Sequence, residues 1–107
     1  MEVGQVLSAM ADPTRRAILE SVQKGPRSVG DIAQDFRVSR PAISQHLRTL
    51  AEAGLVRQHR SGRNNFYTLD ITGLTVLRNY LEGFWADVLI AFQNAAIAES
   101  NKKKGKN

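Results

Sequence analysis

The sequence predicts a mainly α-helical domain with one small β-hairpin. Three observations predict it: helix caps recur in the first half, apolar and polar residues alternate after Gly54, and an apolar stripe at helical spacing follows Asp70. The 107 residues, 42% of them apolar, suffice for one packed core and not for two. We expect residues 1–100 to form this domain and residues 101–107 to form a disordered basic tail.

The first two predicted helices are short. Apolar residues at helical spacing predict a helix near the N-terminus, at Val3, Val6, Leu7 and Met10. A second helix begins at Asp12, a favourable N-cap residue, because Pro13 suits the first turn, where no hydrogen-bond donor is lost. Gly25 and Pro26 end this helix.

Two more helices follow, separated by a tight turn. Ser28 and Asp31 have the spacing of a capping box, which predicts a helix of about two turns. Ser39 is a favourable cap for the next helix, which has Pro41 in its first turn and ends at Gly54.

The helix after Ser39 has two different faces. Its apolar face carries Ile43, Leu47 and Leu50. Its opposite face carries residues that hydrogen-bond bases and phosphates and are not needed for packing: Arg40, Pro41, Ser44, Gln45 and Arg48.

The period then changes from helical to alternating. Residues 55–60 and 65–69 are rich in Val, Phe, Tyr and Thr and predict two short strands. The tip between them, Ser61–Asn64, is basic and has no apolar residue.

A long last helix begins near Asp70 or Thr72. Its apolar residues are spaced by four and three, at Leu77, Leu81, Phe84, Val88, Ala91, Ala95 and Ala98. Aromatic and leucine residues widen this stripe, and a helix of about 25 residues would be roughly 37 Å long, more than so small a domain can cover. We therefore expect a second chain to cover it in a homodimer, at Leu77, Leu81, Phe84, Trp85 and Val88.

The net charge of +5 is concentrated in one segment. Six arginines and a single acid, Glu52, lie between Arg37 and Arg63, whereas the rest of the chain before the lysine-rich tail is acidic overall. Local basicity favours a polyanionic partner such as nucleic acid, although a solvated charged face is the alternative. The lysines of the tail either attract DNA non-specifically or increase solubility.

A short helix, a tight turn, a helix with a polar outer face and a basic hairpin together make a winged helix-turn-helix. The predicted fold adds N-terminal helices and a long C-terminal dimerisation helix. In this arrangement the second helix of the motif lies in the DNA major groove, with its N-terminal residues at the base edges.

Three blocks of the sequence resemble the ArsR/SmtB family of bacterial repressors. The first is Leu7–Leu19 (LSAMADPTRRAIL), and the second is Ser39–Leu47 (SRPAISQHL) with Glu52–Val56 (EAGLV) after it. The third looks like the family's wing, at Arg60–Arg63 and Phe66–Leu69. The resemblance implies a homodimer that binds an operator and represses transcription.

Many members of that family release DNA when a metal binds, but the residues for such a site are missing. The chain has no cysteine, and its two histidines, His46 and His59, lie on the recognition helix and the first wing strand. A metal needs three or four convergent ligands, so we expect no metal site and no cofactor. We expect His46 to be partly buried rather than to contact a base, and His59 to be an ordinary strand residue.

Arg40, Ser44 and Gln45 are expected to contact bases, and Arg48 to contact a phosphate. Pro41 is expected to touch a sugar or a thymine methyl group. The wing tip is expected to contact phosphates or the minor groove, whereas Tyr67 either donates to a phosphate or packs the wing. The complete predicted DNA-binding set is Ser39, Arg40, Pro41, Ser44, Gln45, Arg48, Arg60, Arg63, Asn64 and Tyr67.

No constellation of catalytic residues is recognisable, so an enzyme is not expected. The sequence has no apolar run of membrane-spanning length, and its first residues have neither the basic start nor the apolar core typical of a signal peptide, so we expect a soluble cytoplasmic protein. Two alternatives to a metal-independent, inverted-repeat-binding repressor stay open. One is a winged-helix module that binds an acidic protein, and the other is a repressor released by a metal bound between subunits.

Overall fold

The computed structural model describes residues 2–104, with five helices and three strands in that range. The predicted mainly α-helical fold with a small hairpin is confirmed. The elements are α1 (Val3–Ala11), α2 (Pro13–Val22), β1 (Arg27–Ser28), α3 (Val29–Phe36), α4 (Arg40–Glu52), β2 (Val56–Ser61), β3 (Asn64–Leu69) and α5 (Ile71–Lys104).

The predicted caps start their helices. Each accepts backbone N–H bonds from the first turn that follows it, and the caps are Asp12, Ser28 and Ser39. Such a bond satisfies one of the donors that a helix start leaves without an intrahelical partner, and is worth about 1 kcal/mol.

The end of α1 is held by two arginines whose role the sequence reading missed. Nε of Arg15 donates to the Ala9 carbonyl at 2.7 Å, and Nη1 of Arg16 donates to the Met10 carbonyl at 2.6 Å. Carbonyls in the last turn of a helix lack intrahelical partners, so these bonds both satisfy α1 and fix it against α2.

The strands form a three-stranded antiparallel sheet in the order β1-β3-β2. Strand β1 was not predicted, because its two residues are too few to show a period and the second of them, Ser28, also caps α3. Strand β2 is shifted by one residue from the predicted 55–60 and β3 begins one residue before the predicted 65–69, so that pairing extends to Ser61 and Asn64. The turn is therefore only Gly62 and Arg63, with Gly62 at φ 61°, a conformation that favours glycine.

The chain divides after Leu77 into two compact units, and the core lies in the first. Helix α4 supplies Ile43, Leu47 and Leu50, all with no exposed surface. Burying a side chain of this size stabilises the fold by about 1.5–3 kcal/mol. The core also contains Val6, Ala9, Ile18, Leu19, Val22, Ile32, Ala33, Ala53, Leu55 and Val56.

The first turn of α5 lies against the end of α4. The N–H of Gly73 donates to the Gly54 carbonyl at 2.8 Å, and the N–H of Asp70 donates to the Leu55 carbonyl at 2.9 Å. A Cβ atom on Gly73 would lie 2.3 Å from the backbone oxygen of Ala53. Only glycine allows the backbones to approach this closely.

Helix α5 has 34 residues and is longer than predicted. It continues through Lys104, into the segment expected to form a disordered tail. Asparagine and lysine are both compatible with a helix interior. The remainder of the predicted tail, residues 105–107, lies outside the described part of the chain.

Replacing Gly73 with alanine tests this close approach. Alanine normally stabilises a helix interior by about 1 kcal/mol relative to glycine, but here its methyl group would overlap a backbone carbonyl. We expect Gly73→Ala to lower the free energy of unfolding by about 1–3 kcal/mol. Urea denaturation followed by circular dichroism measures this change in the free energy of unfolding.

Gly83 provides the matched control in the same helix, because a Cβ there would meet no atom within 4 Å. Gly83→Ala should leave stability unchanged or raised. Equal effects of the two substitutions would contradict the steric explanation for Gly73.

Low pH should destabilise the N-terminal end of α2, because Asp12 caps it. The pKa of Asp12 lies below its ordinary value, chiefly because the backbone N–H of Arg15 donates to the carboxylate. A lowered pKa in the fold stabilises the protein fully above the unfolded pKa of about 3.9, and this contribution is lost as the pH falls through the folded value.

We therefore expect the unfolding free energy of Asp12→Asn to fall less steeply below about pH 4 than that of the parent. Asparagine also caps helices well, so the variant should fold normally near neutrality. The pKa of Asp70 is lowered too, first by the backbone N–H of Thr72, and the variant should keep that part of the acid dependence. Urea unfolding from pH 2 to 7 makes the comparison, and parallel curves for parent and variant would refute the role of Asp12.

Candidate nucleic-acid interface

The polar face of α4 is exposed because the opposite face is fixed in the core. With Ile43, Leu47 and Leu50 completely buried, the rotation of the helix about its axis is determined. The residues predicted to contact DNA are all exposed on this helix: Arg40, Pro41, Ser44, Gln45 and Arg48. His46 is half-buried, as its position between the two faces suggests.

The turn before α4 contains a strained residue that the sequence did not single out. Arg37 has φ 53° and ψ 40°, in the left-handed region that side chains with a Cβ rarely adopt. Its N–H donates to the Ala33 carbonyl, which closes α3, and Val38 then packs against the core. Ser39 follows as the cap of α4, so this predicted site residue has a structural role as well.

The wing presents an exposed basic tip. The predicted site residue Tyr67 lies away from that tip, farther along strand β3. Arg60, Arg63 and Asn64 are exposed on and beside the turn. Tyr67 is half-buried and packs against the core. His59 is exposed on β2, opposite Phe66 in β3.

A polar cavity of about 300 Å³ brings three predicted residues together. Arg40 comes from the start of α4, and Arg63 and Asn64 come from the wing. Ser28 and Gly30, at the start of α3, also line the cavity. Their spacing in the sequence carries no sign of this proximity, because three separate elements meet here.

The arginines of this surface are not neutralised by carboxylates of the described residues. The ion pairs found in that range involve other arginines: Arg15 with Asp12, Arg27 with Asp35 and Arg78 with Glu82. The exposed face of α4 and the wing therefore carry a positive charge that attracts external anions.

No group of three or more His, Cys, Asp and Glu side chains among residues 2–104 could hold a metal ion. In the same range no helix is both long and apolar enough to cross a membrane.

The predicted dimer surface on α5 is largely exposed. Leu81, Phe84 and Trp85 have 50%, 58% and 61% of their surface accessible, and Val88 is half-buried. The predicted interface residue Leu77 instead packs against the core of the first unit. It is only partly accessible because it lies at the end of that unit, where α5 still contacts the core.

A short helix, a tight turn and an exposed polar helix, followed by a basic two-stranded wing, define a winged helix-turn-helix protein. Comparison with known proteins identifies the group to which it belongs. Residues 12–58 match the family described as "Bacterial regulatory protein, arsR family".

The sequence is also similar to individual named regulators. The chain is 45% identical to the HTH-type transcriptional regulator Rv2034 of Mycobacterium tuberculosis over 87% of each chain. It is 39% identical to the transcriptional repressor SdpR of Bacillus subtilis, over 77% of this chain and 91% of SdpR. This protein belongs to the arsR family of bacterial regulators, and it is a DNA-binding transcriptional regulator and not an enzyme.

A solved structure gives the same result for the fold. The winged helix-turn-helix domain of Mb0332 from Mycobacterium bovis, described as homodimeric, DNA-binding and a possible ArsR-family regulator, superposes with a TM-score of 0.63 at 31% identity. The match covers 79% of this chain and 78% of that domain.

Proposed function

We propose that this protein is a homodimeric, metal-independent repressor that binds an inverted-repeat operator. The observation that carries the proposal is the exposed polar face of α4, whose opposite face is completely buried. In a dimer, two such helices enter successive major grooves about 34 Å apart. The name of the similar repressor SdpR supports the direction of regulation.

Within this proposal, Ser44 and Gln45 read the bases. Both are exposed one turn into α4, where a recognition helix faces base edges. Glutamine pairs with adenine through two hydrogen bonds, and serine pairs with either base of a pair. Arg48 lies one turn farther along and contacts a phosphate, as do Arg60 and Arg63 of the wing.

The dimer forms through α5. Its exposed apolar side chains include Leu81, Phe84 and Trp85, and the Phe84 ring stacks against that of Tyr80 at 6.3 Å. Burial of each large apolar side chain contributes about 1.5–3 kcal/mol, which favours covering this stripe with a second copy. The homodimeric state of the similar Mb0332 domain supports the same assembly.

The first experiment measures DNA binding by fluorescence anisotropy on duplexes from the protein's own upstream region and on scrambled duplexes. Gln45→Ala should lower the preference for the specific duplex by about tenfold, because an adenine contact gives about 1–3 kcal/mol of discrimination. Gln34→Ala, the same change on the exposed surface of α3, should leave the preference unchanged.

Three outcomes would count against this proposal. Absence of binding to any upstream duplex at low salt, with salt-sensitive binding to an acidic protein instead, would favour the interaction-module alternative. An unchanged sequence preference in Gln45→Ala would refute its base contact. A change in affinity on adding zinc, nickel or a chelator would contradict metal independence.

The second experiment tests the dimer by sedimentation equilibrium. Phe84→Glu places a charge in the apolar stripe and should convert the dimer to a monomer, with weaker operator binding because the two half-sites are no longer linked. Gln93→Glu introduces the same side chain at an exposed polar position of α5 and should remain dimeric. A dimeric Phe84→Glu with normal helical content would exclude this surface as the interface.

A further inference from the structure

We propose that Arg40, together with Arg63 and Asn64, binds one DNA backbone phosphate in the cavity between α3, α4 and the wing. This inference rests on the proposed DNA binding and assigns Arg40 a different partner from the base that its place on α4 suggests. The phosphate would be held by the recognition helix and the wing at the same time.

The first observation is the position of the Arg40 side chain. Its guanidinium lies over the first turn of α3, so that a Cβ on Gly30 would be 2.9 Å from Nη2 and 3.3 Å from Cζ. The side chain therefore occupies space that any residue other than glycine would fill. In helix-turn-helix proteins the helix before the recognition helix crosses the DNA backbone, so a guanidinium resting on α3 lies where phosphates pass.

The second observation is the charge around the cavity. Arg40 and Arg63 both line a space of about 300 Å³, and no carboxylate contributes to its lining. Neither arginine takes part in the ion pairs found among the described residues. Two like charges facing one solvent-filled space repel each other, and an anion between them removes that repulsion.

The third observation is the chemistry of the remaining lining groups. The amide of Asn64 supplies a neutral donor. Ser28 and Gly30 lie at the N-terminus of α3, whose partial positive charge is partly offset by the carboxylate of Asp31 in the first turn. Guanidinium groups match phosphate oxygens with paired hydrogen bonds, and a tetrahedral anion can accept bonds from several directions at once.

The assignment predicts how Arg40→Ala changes binding. Because every DNA sequence carries phosphates, affinity for specific and scrambled duplexes should fall by the same factor, about tenfold or more. The slope of log K against log salt should become shallower by about one for each lost phosphate contact, or about two per dimer. Lys24→Ala, which removes one charge from an exposed turn after α2, is the charge-matched control and should cause neither change.

Gly30→Ala tests the contact without removing a charge. Its methyl group should displace the guanidinium and weaken both duplexes, while the melting temperature stays the same or rises because alanine favours helix α3. In the Arg40→Ala background the Gly30→Ala change should cause no further loss. A further loss there would show that Gly30 does not act through Arg40 and would overturn this contact.

Other results would overturn the phosphate assignment. If Arg40→Ala weakens only the specific duplex, Arg40 reads a base. If Arg40→Ala leaves the salt slope of a DNA-binding parent unchanged, the phosphate assignment fails and the proposed function stands. If the parent protein binds neither duplex, the proposed function fails and this inference fails with it.

Discussion

Burial of one face of α4 is the constraint on which the rest of the structure depends. Ile43, Leu47 and Leu50 have no exposed surface, so this helix cannot rotate without exposing apolar side chains at a cost of several kcal/mol. The same three buried side chains that complete the core thus place Ser44 and Gln45 on the exposed side of the helix. The buried face and the exposed polar face are opposite sides of one helix, so a change that loosens the core also reorients the exposed face.

Much of this fold could be predicted from local signals, because its helix starts are specified by single residues. Asp12, Ser28 and Ser39 each cap the helix that follows, and their bonds span only two or three residues. The features that were missed depend on residues distant in sequence or on too short a segment. Strand β1 has only two residues, and the partner that makes it a strand, β3, comes almost 40 residues later.

In the candidate site, too, local features could be predicted from the sequence, whereas contacts between distant residues could not. The exposure of α4's polar face follows from its 3.6-residue period, and the basic wing follows from composition. The period does not reveal where a long side chain goes, however, and Arg40 lies over Gly30 on another helix. Helix α5 is also longer than predicted, and Leu77, expected at the dimer surface, packs against the core of its own chain, because an apolar stripe predicts burial without specifying which chain provides the covering surface.

The backbone bonds from Gly73 to Gly54 and from Asp70 to Leu55 have a mechanical consequence. They join the residues just after α4 to the start of α5 through peptide groups alone, without a side chain between them. A displacement of the first turn of α5 would therefore either break these two bonds or carry the residues at the end of α4 with it.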